Sequence, residues 1–126
     1  MQEFMLLIRN ENGHTESFTP ELHQEFLAKC QVYISNLVKD GKLVGAQPLV
    51  REGVMLSGSN GVWKDGPFNE TKEVIVGYYH ILAKDMEEAI AIAKGNPEFA
   101  YTSTSRIEIR PIKVKEPSTA YVYPAQ

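Results

Sequence analysis

At 126 residues and 43% hydrophobic composition, the chain has room for one domain and one core. Its 13 Lys and Arg against 16 Asp and Glu leave a net charge of −3, which argues against a phosphate-reading surface and so against nucleic acid as a partner. A lone cysteine, Cys30, excludes an internal disulfide and a multi-cysteine zinc site, and no apolar run approaches the roughly 20 residues a membrane helix needs. Glu3 stands before the first apolar run, the reverse of the basic-then-apolar order of a signal peptide. A cytoplasmic protein with no membrane partner is the expectation.

The first element is Phe4-Met5-Leu6-Leu7-Ile8, a continuous apolar run closed by Asn10-Glu11-Asn12-Gly13. It predicts a strand covered on both faces, and it places His14 in an exposed turn. Thr19-Pro20 then opens a helix, with Thr19 as cap and Pro20 at the first position, where a missing N–H costs nothing. Leu22, Phe26, Cys30, Tyr33 and Leu37 form an apolar stripe at helical spacing, with Leu27, Ile34 and Val38 beside it. The helix is predicted from Pro20 to Asp40, with Gly41 just past its end.

Leu43 to Leu49 reads as a strand carrying Gly45 and ended by Pro48. Val54-Met55-Leu56 is a short strand, Ser57 to Gly61 a turn, and Val62-Trp63-Lys64 a return strand of a hairpin. Asp65 to Asn69 is expected as a loop. Val74 to Ala83 is the longest β pattern, with Gly77 as a bulge or close-approach point. Asp85 caps a second helix with Glu88 three residues on, and Lys94-Gly95-Asn96-Pro97 stops it. Arg106-Ile107-Glu108-Ile109-Arg110 alternates strictly and predicts a last strand that is polar on one face. Residues 113–126 form an extension in which Tyr121, Val122 and Tyr123 are apolar enough to pack on a partner subunit.

The order is β-α-β-β-α-β with an inserted hairpin. Two helices on one antiparallel sheet give a ferredoxin-like α+β domain over residues 1–112. Helices cover only one sheet face. Both parities of Val74 to Ala83 are apolar, so a second copy stacked sheet to sheet is expected: a homodimer.

The most distinctive run is Asp65-Gly66-Pro67-Phe68, followed by Glu70-Thr71-Lys72-Glu73 and then Gly77-Tyr78. With Gly41-Lys42-Leu43-Val44-Gly45, Glu88-Ala89 and Ile107 to Ile112 in order, the chain over about residues 4–112 resembles the DGPF branch of the YCII-related family. That resemblance implies a dimeric α+β barrel. It also implies a cleft in which a helix histidine and an aspartate serve as acid/base groups, and some relatives accompany sigma factors. Asp65 matches the aspartate. The helix histidine has no match: its place falls on Cys30, and His23 stands two turns earlier.

The candidate catalytic groups are therefore Asp65 and His80, with Cys30, Trp63, Phe68, Tyr78 and Tyr79 as pocket lining. Each has a plainer explanation. Asp before Gly-Pro is ordinary turn chemistry, a mid-helix cysteine in an apolar stripe behaves as a small hydrophobe, and a histidine in a strand can be a satisfied interface group. Three dispersed histidines with no i, i+4 pair give no metal site, and no glycine-rich phosphate loop is present, so no cofactor is expected. Two functions fit: a small-molecule binder or cofactor-independent acid/base enzyme with a cleft near Asp65, or a non-catalytic regulatory or interaction module.

Overall fold

The computed structural model describes residues 1–67 and 73–124. Nine elements follow in order: β1 (Gln2–Glu11), α1 (Pro20–Lys39), β2 (Leu43–Pro48), β3 (Val54–Ser59), β4 (Val62–Pro67), β5 (Glu73–Ala83), α2 (Met86–Lys94), α3 (Glu98–Tyr101) and β6 (Arg106–Pro111). β2, β5, β1 and β6 pair in that order in an antiparallel sheet, while β3 and β4 form a separate two-stranded hairpin. This is the ferredoxin-like α+β fold, with the hairpin inserted between β2 and β5.

Local chemistry explains the boundaries. Thr19 Oγ1 accepts from Leu22 N at 3.1 Å and caps α1. At the other end Gly41 takes φ +70°. Its N–H reaches Val38 O, and Lys42 N reaches Leu37 O, closing a Schellman motif. Asp85 Oδ1 accepts from Glu88 N at 2.9 Å, and Glu88 Oε1 accepts from Lys84 N, so α2 begins on a reciprocal cap. In the hairpin, Asn60 and Gly61 both have positive φ, the geometry of a two-residue primed turn. The turn expected over Ser57–Gly61 is thus narrower, because β3 continues to Ser59. Likewise the loop expected from Asp65 starts later, since β4 runs through Pro67.

Alternation sets the core. Phe4, Leu6, Ile8 and Asn10 of β1 point to the helices and are buried, as are Tyr79, Ile81 and Ala83 of β5. Leu37 of α1 and Ala89 and Ala93 of α2 close over them, and Ile107 and Ile109 of β6 pack at the side. The small alanines let α2 lie close to the sheet. Leu22, Leu27 and Val38 of α1 stay exposed, so the inward stripe is narrower than the sequence pattern. The opposite sheet face carries Met5, Leu7, His80 and Leu82, each half-buried in the single chain. It is not uniformly apolar. Arg9 Nε meets Glu108 Oε1 at 3.0 Å, and Arg106 Nη2 meets Glu73 Oε1 at 2.7 Å.

Residues 113–124 turn back on themselves. Lys115 bridges Val122, Tyr123 Oη donates to Glu116 Oε2 at 2.7 Å, and the Tyr121 and Tyr123 rings meet edge to face. No helix among the described residues is long and apolar enough to cross a membrane.

Candidate functional site

Under the first half of α1 lies a cavity of about 380 Å³, a size at the lower end of small-molecule sites. Phe26, Leu27, Cys30 and Ile34 form its roof, because they recur at helical spacing on the underside of α1. Ile8 and Val76 are part of its floor. Ile8 pairs with Gly77 and Arg9 with Ile75, so Val76 is the extra residue of a β-bulge. Beside it Gly77 lets β2 come close: a Cβ there would stand 3.1 Å from Gln47 O and 3.3 Å from Pro48 Cα. Of the two expectations for Gly77, close approach is met, and the bulge falls one residue earlier, at Val76.

A second cavity of about 320 Å³ adjoins the first and shares Phe26, Leu27, Pro48, Val76 and Glu98 with it. His14, His23 and Arg51 are among its other lining residues. Glu98 therefore stands at the junction. Only 8% exposed, it sits where α3 begins. Its Oε2 accepts from Asn10 Nδ2 at 3.2 Å, and its Oε1 lies 3.5 Å from His14 Nε2. Asn10 is fully buried. It donates also to Thr102 Oγ1 at 2.9 Å, and its Oδ1 accepts from Glu11 N and Thr104 Oγ1. The end of β1 and the segment around α3 are thus tied by one polar cluster. Glu98 lines both cavities, and His14 lines the smaller one.

Asn96 is the other buried amide, 3% exposed and lining the larger cavity. Its Oδ1 accepts from Glu98 N at 2.9 Å. Burial pushes the Cys30 thiol up to about 11, with the charge of Glu98 acting the same way. Burial also pushes the Tyr79 phenol up to about 12; Cys30 and Glu98 add to this, while a side-chain hydrogen bond from Asn96 acts against it. Tyr33, above its usual range mainly through burial, donates to Ile92 O at 2.6 Å and packs edge to face on Tyr79. These groups stay protonated near neutrality. Among the described residues, no three of His, Cys, Asp and Glu cluster to hold a metal ion.

Of the residues singled out from sequence, Cys30, Tyr78 and Tyr79 come together around the larger cavity. Asp65 does not join them. It is exposed on β4, opposite Leu56, and Trp63 two residues earlier is 65% exposed. His80 lies on the sheet face turned from the helices, its Nε2 2.7 Å from Glu3 Oε1. Phe68 lies outside the described residues. His14 is in a turn as expected, but its side chain is only 14% exposed, because Glu98 draws the ring inward. Glu98, Asn96 and Asn10 escaped the sequence reading. Asn10 carried a usable signal: it shares the parity of Phe4, Leu6 and Ile8, which places it on the buried face.

The model of the YCII-related domain matches residues 2–114, which is nearly the whole chain. The chain belongs to the YCII-related family. It is also similar to an uncharacterised protein of Rhizobium meliloti (strain 1021), with 29% identity over 118 residues, covering 90% of this chain and 94% of that protein. The YCII-related domain thus includes β1 through β6, and with them every residue of the cavity under α1.

Proposed function

We propose that this YCII-related protein, in the DGPF-like branch suggested by Asp65-Gly66-Pro67-Phe68, binds a small and partly aromatic molecule beneath α1. The observation that carries this reading is the pair of adjoining cavities with Glu98 between them and His14 against its carboxylate. Apolar walls supply binding, and Glu98 with His14 supplies cofactor-independent proton transfer. The cleft sits under α1, and Asp65 serves the hairpin.

A thermal-shift screen with a broad metabolite set tests this, since a ligand at a hundredfold its Kd stabilises by about 2.7 kcal/mol. Leu27→Trp is the control. Leu27 is 44% exposed yet lines both cavities, so a larger ring there fills space with little strain on the core. Stabilisers of the wild type should lose their effect in Leu27→Trp. The reading fails if nothing stabilises the protein, or if every hit acts equally on both.

We also propose a homodimer through the free sheet face. Met5, Leu7, His80 and Leu82 form its centre, and the exposed Val54, Met55, Leu56, Val62 and Trp63 of the hairpin supply further apolar surface. Light scattering on the eluted protein should give about twice 14.2 kDa. A single-chain mass across the micromolar range refutes it.

A further inference from the structure

We infer that the ligand is an aromatic carboxylic acid: its ring fills the cavity under α1, and its carboxylate is held by the Arg51 guanidinium in the adjoining cavity. The inference rests on the binding reading above and adds the ligand's charge and the place of its acidic end.

The two cavities differ in charge. Phe26, Ile34, Val76 and Tyr79 line the larger one and favour a flat apolar body, and no Lys or Arg among the described residues lines it. The smaller is lined by His14, His23 and Arg51. Among the described residues of both linings, Arg51 is the one that holds a fixed positive charge. Glu98 belongs to both cavities and has partners of its own: Asn10 donates to its Oε2, and His14 Nε2 lies 3.5 Å from its Oε1. An anion at the junction would meet that carboxylate, which sets the acidic end at Arg51 and the neutral ring under α1. Arg51 is held by a surface group. Its Nη1 meets Oε1 of Glu16, a residue outside the cavity lining, and the two side chains are 58% and 61% exposed. Exposed pairs of this kind contribute little and are screened by salt. A guanidinium has five N–H donors in a planar fork, so one carboxylate does not exhaust it. A ligand whose ring is seated under α1 presents its own carboxylate to Arg51 at a high effective concentration. The residues common to both cavities, Leu27 and Val76 among them, let one molecule span the two.

The test is amide chemical-shift titration of the full chain at low salt with 3-phenylpropionate, its primary amide and propionate. 3-Phenylpropionate should perturb Cys30 and Tyr79 together with Arg51, and bind about tenfold tighter than the amide, the share of one charge-assisted contact. Propionate lacks the ring and should bind at least about tenfold more weakly than 3-phenylpropionate. Arg51→Gln should abolish the preference for the acid while leaving binding of the amide within about twofold. Glu16→Gln frees the guanidinium from a competing carboxylate and should tighten binding of the acid about two- to fivefold. Both side chains are exposed, so neither substitution disturbs the core. Equal binding of acid and amide, a preference for the acid that survives in Arg51→Gln, or acid binding weakened by Glu16→Gln overturns the Arg51 assignment while leaving the cavity a binding site. Shifts at Arg51 without shifts at Cys30 and Tyr79 reveal a surface ion pair only and overturn the two-part ligand. No shift with any probe overturns both readings.

Discussion

Cys30 offers a quantitative check on the electrostatics of the cavity. Its thiol is pushed from 9.0 up to about 11, first by burial and then by Glu98. At pH 8 a thiol of pKa 9 is about 10% thiolate, and one of pKa 11 about 0.1%, a hundredfold loss of the reactive form. The higher pKa also makes each thiolate about tenfold more nucleophilic at a Brønsted slope near 0.5. Ionisation alone therefore slows alkylation about tenfold relative to the unfolded chain, before any effect of access. The assay is the iodoacetamide rate from pH 7 to 11.5, folded and in denaturant. The folded rate should keep rising past pH 10, with its midpoint near 11. Glu98→Gln removes the second cause and should move the midpoint down. The sign of the linked stability follows. The folded chain holds its proton above the pH at which the unfolded chain loses it. Cys30 therefore contributes stability below about pH 9 that is lost as pH rises through about 11. Since the group is only half-buried, that contribution is about 1 kcal/mol after solvent screening. A folded midpoint at or below 9, or equal rates in both states at pH 8, refutes the reasoning.

Three further outcomes are expected. Asn10→Ala removes the buried amide that Glu98, Thr102 and Thr104 share and should cost about 3 kcal/mol, seen as a fall in Tm of about 10 °C; a fall under 3 °C would show the cluster to be incidental. Leu6→Ala empties a fully buried position of β1 and should cost about 3 to 4 kcal/mol in urea unfolding, with the m-value unchanged. Gly58→Ala places a Cβ against the Val62 carbonyl oxygen at φ +143°. It should unpair β3 from β4, seen as lost cross-strand amide contacts by NMR, while the β2-β5-β1-β6 sheet keeps its own.

Much of the fold was legible because its signals are local. The cap at Thr19, the glycine at 41, the cap at Asp85 and the alternation in β6 each follow from residues within a turn of one another. The bulge near Gly77 was legible for the same reason. α3 was not. Gly95-Asn96-Pro97 is a strong stop, and a four-residue helix after it leaves no periodicity to read. The site was only half legible. Cys30 and Tyr79 could be placed by stripe and parity, but Glu98 meets Asn10 across 88 residues of chain, and no spacing encodes such a contact. The rarity of Asp65-Gly66-Pro67-Phe68 drew attention to the hairpin, where its glycine and proline serve a β-ribbon end. Rarity of a motif and placement in a cavity are separate properties.

What the cavity can do follows from which of its groups hold protons. Covalent catalysis at Cys30 needs a thiolate, and thiolates are stabilised by a cation or a helix N-terminus. Cys30 is in the middle of α1, with a carboxylate as its nearest strong field, so its electrostatics run the other way. Glu98 accepts from Asn10 and faces His14. Where the related pattern implies a helix histidine, this chain has a thiol that stays neutral near pH 7. Cys30 is thus left to shape the roof of the cavity.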